Sequence, residues 1–145
     1  MHLEIHPYEG ALPLMFGMSE LEVIEVLGPA KNCSTNRLGK RMLAYDDYKL
    51  GFDLKDRLVH IACLPSADTL IRGIDPFSES GFERLVELDG EPLEGLGFVV
   101  LLNLGIAFGG FHDGDESQKG LVIFERGAYD SVAEHLKPWR PDATL

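Results

Sequence analysis

Histidine is the side chain whose charge changes near neutral pH, so His2, His6, His60, His112 and His135 are where acid–base or metal chemistry would first be sought. None stands four residues from another with a glutamate between, the helical spacing that presents two imidazoles to zinc. His60 lies inside an apolar run and reads as a packed strand residue, while His2 and His6 fall in a terminus expected to be mobile. The loop His112-Asp113-Gly114-Asp115-Glu116 sets three carboxylates beside an imidazole, as a Ca²⁺ or Mg²⁺ site would. A twelve-residue calcium loop starting at Asp113 needs glycine at its sixth position and glutamate at its twelfth, and this chain has Gln118 and Phe124 there. No metal is expected. There is no Gly-x-Ser-x-Gly elbow, and Gly105 and Gly109-Gly110 lack the spacing and the Lys-Ser/Thr pair of a phosphate loop, so these glycines read as strand bends or bulges. Cys33 and Cys63 lack the C-x-x-C spacing of redox or metal sites and are expected to be a reduced, cytosolic pair. No catalytic residue and no cofactor follows from any of these patterns.

Charge is the more informative property. With 24 acidic side chains against 13 basic ones the net charge is −11, which repels nucleic-acid phosphate and anionic membrane surfaces and attracts basic partners. Between Gly73 and Glu116 ten acidic residues face a single Arg84. Glu79, Glu83 and Glu87 step by four, so on a helix they form one acidic stripe opposite Phe82, Leu85 and Val86. Like charges at that spacing cost a helix about 0.2–0.5 kcal/mol per pair. Two uses are open for the stripe: a solvated face that keeps the chain soluble, or, with Asp113, Asp115 and Glu116, a docking surface for a basic protein.

These residues must be positioned by a fold, and 145 residues with 45% apolar and 26% charged composition predict one globular domain spanning 1–145. Ser19 and Glu22 have capping-box spacing, Leu21, Ile24 and Leu27 recur at helical intervals, and Gly28-Pro29 stops the helix. Strand-like runs follow at 41–45, 49–54 and 57–64, with turns at Asp46-Asp47 and Lys55-Asp56. In the last of these runs Leu58, His60 and Ala62 alternate against Val59, Ile61 and Cys63. Residues 65–76 read as a connection, after which a second helix starts at Ser78 or Ser80 and ends at Gly90 and Pro92. Runs at 98–102, 104–108 and 120–125 predict further strands, and 129–136 a short final helix ended by Pro138. The expected class is α+β, an antiparallel sheet with helices packed on one face, built from two degenerate helix-then-strands repeats at 14–64 and 75–126. In that alignment Leu58-Val59-His60-Ile61 falls on Leu121-Val122-Ile123-Phe124.

Phe16-Gly17-Met18-Ser19 leading to Val23-Ile24-Glu25-Val26-Leu27-Gly28-Pro29 resembles the G-M-[ST] … V … L-G-x-P opening of small bacterial domains. Those include outer-membrane assembly lipoproteins and β-lactamase-inhibitor-protein-like repeats. The second half, with Gly114-Asp115-Glu116-Ser117-Gln118, then Leu121 to Gly127, then Tyr129-Asp130, is similar to the small acidic immunity proteins of bacterial polymorphic toxin systems. That resemblance implies a non-enzymatic binder that occludes a cognate toxin, with no chemistry of its own. Met1 to Pro7 carries no basic stretch followed by an apolar run, so a cytoplasmic location is expected, with the chain a monomer or a weak homodimer. An alternative is an enzyme or small-ligand binder with a pocket between sheet and helices, using His60, His112 and Asp113. A third is a scaffold that self-associates through the apolar 98–102 edge.

Overall fold

The structure, a computed structural model, describes residues 2–78, 80–95, 98–109, 120–127 and 134–139. The chain opens with strands β1 (His2–His6), β2 (Gly10–Leu12) and β3 (Leu14–Met15), then helix α1 (Glu20–Leu27). Four strands follow, β4 (Asn32–Thr35), β5 (Arg41–Ala44), β6 (Tyr48–Phe52) and β7 (Leu58–Cys63), and after them β8 (Asp68–Ile71). Helix α2 (Gly81–Asp89) leads into β9 (Leu93–Gly95), β10 (Phe98–Leu101), β11 (Ile106–Gly109) and β12 (Gly120–Phe124), with β13 (Lys137–Pro138) last. Among the described residues nine strands form an antiparallel sheet ordered β13-β9-β10-β11-β12-β7-β6-β5-β4, and four form a second sheet ordered β3-β2-β1-β8. The protein is therefore α+β and dominated by strands.

Helix α1 forms where its local signals place it. The Ser19 hydroxyl accepts from the Glu22 amide at 3.2 Å and the Glu22 carboxylate accepts from the Ser19 amide at 3.0 Å, a reciprocal capping box. At the other end Gly28, at φ 84°, donates its amide to Ile24 at 2.8 Å and turns the chain out of the helix. Helix α2 starts at Ser80, whose side chain makes no capping bond; the Ser78 hydroxyl instead donates to the Asp75 carbonyl at 2.8 Å. Its apolar face is the expected one. Leu85 is fully buried, and Phe82 stands edge-on to Phe108 at 4.9 Å and to Trp139 at 5.6 Å.

In the long sheet, α1 is followed by the run β4 to β7 and α2 by the run β9 to β12, and the last strands of the two runs pair at its centre. Ile61 faces Ile123 and Cys63 faces Leu121; all four are buried in the main core with Val23 of α1 and Leu85 of α2. The other face of the same pair carries Ala62 opposite Val122 and His60 opposite Phe124. The sequence alignment of Leu58–Ile61 with Leu121–Phe124 equated Ile61 with Phe124, which points the other way. Ile61 lies in the main core and Phe124 in the outer-face cluster.

Several expectations are corrected. The N-terminus is no mobile tail: Leu3 and Ile5 of β1 are buried, and β1 pairs antiparallel with β2 and parallel with β8. Residues 65–76 are accordingly more than a connection, and the antiparallel sheet is joined by a second, mixed one. The 98–102 segment is not an edge, since β10 lies between β9 and β11, so self-association through it has no free backbone to use. Of the expected final helix, residues 129–133 lie outside the described residues; Glu134 and His135 form a turn, and Lys137–Pro138 pairs with β9.

Candidate functional site

Of the expected docking residues, the structure describes Glu83 and Glu87. Both are exposed on α2 while Leu85 points into the core, as the helical period requires. Glu79, Asp113, Asp115 and Glu116 lie outside the described residues, as does His112. Next to the two glutamates Leu88 is left 43% exposed, and with Ile74, Arg84 and Glu87 it borders a shallow hollow of about 340 Å³. The acidic stripe is thus interrupted by an arginine and an exposed leucine, a mixed apolar and charged patch.

A second surface was not anticipated. On the outer face of the long sheet, away from the main core, Val100, Ala107 and Phe124 are buried beneath Tyr8, Leu102 and Leu136. Tyr8 is held there by a hydrogen bond from its hydroxyl to the Leu102 carbonyl, with the Arg126 guanidinium 4.3 Å above its ring. The first run of strands has no such cover among the described residues. Where it meets β12, Val59, Ala62, Val122 and Phe124 line a recess of about 540 Å³ together with Lys40, His60, Asp53 and Glu125. A smaller hollow of about 170 Å³ lies among Asn32, Ser34, Met42, Ala44 and Lys49. The larger recess thus lies on the outer face of the long sheet, away from the helices.

A bulge makes the recess. Gly51 pairs with His60 but Phe52 pairs with Leu58, so Val59 is the extra residue of β7. Leu58 consequently shares the core with Ile61 and Cys63, and Val59, His60 and Ala62 line the outer face. Simple alternation had set Leu58 with His60 and Ala62; the bulge breaks it. Across the strand pair the His60 ring lies over Gly51, where any Cβ would overlap it. Burial, with a smaller contribution from the Lys40 charge, pulls the His60 imidazole below its ordinary value of 6.5. No hydrogen bond or ion pair orients it among the described residues.

The sign of its pH dependence follows. The folded chain keeps His60 neutral where the unfolded chain takes up a proton, so its contribution to stability is complete above 6.5 and lost as the pH falls through the folded value. Urea unfolding above and below pH 6.5 should show the wild type losing stability relative to His60→Gln on acidification; parallel curves would refute this.

Both cysteines are free, Cys33 exposed on β4 and Cys63 buried, where burial pushes its thiol up to about 12. Cys33 should react with a thiol reagent at once and Cys63 only on unfolding; two fast thiols in the native protein would contradict this packing. Among the described residues no three His, Cys, Asp or Glu side chains gather as metal ligands, and no helix is long and apolar enough to cross a membrane. Comparison with family models, curated proteins and solved structures finds no match to this chain.

Proposed function

We propose that this chain is a non-enzymatic binding protein, an immunity protein that binds a basic cognate toxin and blocks it in the cytoplasm. The observation that carries the reading is the outer surface of α2, where Glu83 and Glu87 stand exposed beside the exposed Leu88 on a chain of net charge −11. Carboxylates around an apolar contact are what a basic surface is steered to and then packs against. The reading takes the two helix-and-strand runs as degenerate repeats of one domain, with both helices on the inner face of the long sheet. The shared core of Val23, Leu85 and the inward strand residues supports that arrangement.

Affinity capture by the tagged protein from a lysate of the organism that encodes it, at low and then high salt, tests the reading. A stoichiometric basic protein should be retained, and Glu83→Gln with Glu87→Gln should weaken its binding about tenfold or more, mostly through slower association. Retention of the same partner at full strength by that variant would remove α2 from the interface.

A further inference from the structure

We infer that the half of the outer sheet face that no described residue covers is a second docking surface, fitted to an acidic segment of a protein partner that carries an apolar side chain. The surface lies apart from α2, and its case does not depend on the toxin reading.

The first observation is charge. The chain carries −11 overall, yet residues 31–57, which hold β4 to β6 and their turns, contain seven basic and four acidic side chains. Three of the basic groups are taken: Lys31 by Asp46 at 2.8 Å, Arg41 by Glu20 at 2.9 Å and Arg57 by Asp53 at 2.8 Å. Arg37, Lys40, Lys49 and Lys55 make no ion pair among the described residues. Lys40 lines the larger recess and Lys49 the smaller hollow. Of the two carboxylates at the larger recess, Asp53 is already paired with Arg57, and only Glu125 opposes an incoming acidic group.

The second observation is shape. Lys49 sits directly across from both Ala44 and Ala62, so the sheet surface beside it is low, while the space over Gly51 is taken by the His60 ring. Val59, Ala62, Val122 and Phe124 give the recess an apolar lining, and farther along the same face, from Phe124 to Val100 and Ala107, the chain's own Tyr8 and Leu136 already pack on the sheet. An apolar side chain from a partner would do on the first run what those residues do on the second. Covering Lys40 and Lys49 with a purely apolar surface would strand two ammonium groups out of water, whereas carboxylates on the partner would match them. Nucleic acid offers the same negative charge, but its phosphates bring no aliphatic side chain to fill the apolar lining.

The test pans a phage-displayed random peptide library against the intact protein, then titrates synthetic copies of the enriched peptides by fluorescence anisotropy and by amide shifts in ¹H–¹⁵N spectra. Enriched peptides should be acidic with a large aliphatic or aromatic residue, and should shift the amides of Lys49, His60, Ala62 and Val122. Lys40→Glu with Lys49→Glu should weaken binding about tenfold or more, and Ala62→Phe, which fills the recess without touching charge, should do the same with the spectrum otherwise native. Recovery of no peptides, of basic peptides, or of acidic peptides whose shifts map to α2 or whose affinity survives both variants would overturn the inference. None of these outcomes involves the toxin, so the α2 proposal stands or falls separately.

Discussion

Phe108→Ala will lower the free energy of unfolding by about 3–5 kcal/mol, the usual cost of deleting a buried aromatic ring. Phe108 is 1% exposed on β11, and its ring is the surface on which Phe82 of α2 stands edge-on. Its loss leaves a cavity and removes a ring contact that holds α2 on the sheet, Trp139 being a further ring neighbour of Phe82. The single tryptophan makes the test direct. Trp139 fluorescence through a urea titration should show a midpoint shifted sharply down, and a loss below about 1 kcal/mol would mean that the interior is far looser than its burial implies.

The second large effect is expected at Asp89, the last residue of α2 and 6% exposed. Its carboxylate accepts from the amides of Glu91 at 3.1 Å and Asn103 at 2.9 Å, and its own carbonyl accepts from the Asn103 side chain at 2.9 Å. One side chain thus joins the exit of the helix to the β10–β11 turn. Burial raises its pKa, and the amides of Glu91, Asn103 and Leu104 pull it back down. Asp89→Ala strands the Glu91 and Asn103 amides at a cost of about 1–3 kcal/mol each, so a total loss of about 2–6 kcal/mol is expected. Asp89→Asn keeps one acceptor oxygen and should lose roughly half as much. Equal stability of the wild type and Asp89→Ala in chemical denaturation would show that water satisfies these amides equally well.

What was legible in the amino-acid order divides along the range of the forces involved. Ser19, Glu22 and Gly28-Pro29 act within one helical turn, so α1 could be read to within a residue, and the face of α2 followed from Phe82, Leu85 and Val86 alone. The strands β5 to β7 and β10 to β12 announced themselves by apolar content. Strand β4 did not, since Asn32–Thr35 is exposed at every position and is a strand only because β5 lies beside it. Nor did β1 and β8, whose parallel pairing joins residues more than sixty apart and is recorded in neither segment separately. The same reasoning applies to function. Glu83 and Glu87 could be assigned to an exposed face from helical spacing, whereas the recess depends on a bulge fixed by how β7 registers with β6. Its one local signal was Gly51, a residue without a side chain in mid-strand, which made room for the ring of the strand next to it.

The proposed function is that the chain protects a cell by binding a toxin. The most direct measurement is the survival of cells that express the toxin gene adjacent to its own, counted as colonies with and without this chain. Co-expression should restore growth by orders of magnitude, and Glu83→Gln with Glu87→Gln should weaken the protection. Equal killing in both cultures, or a locus holding no toxin gene, would contradict it.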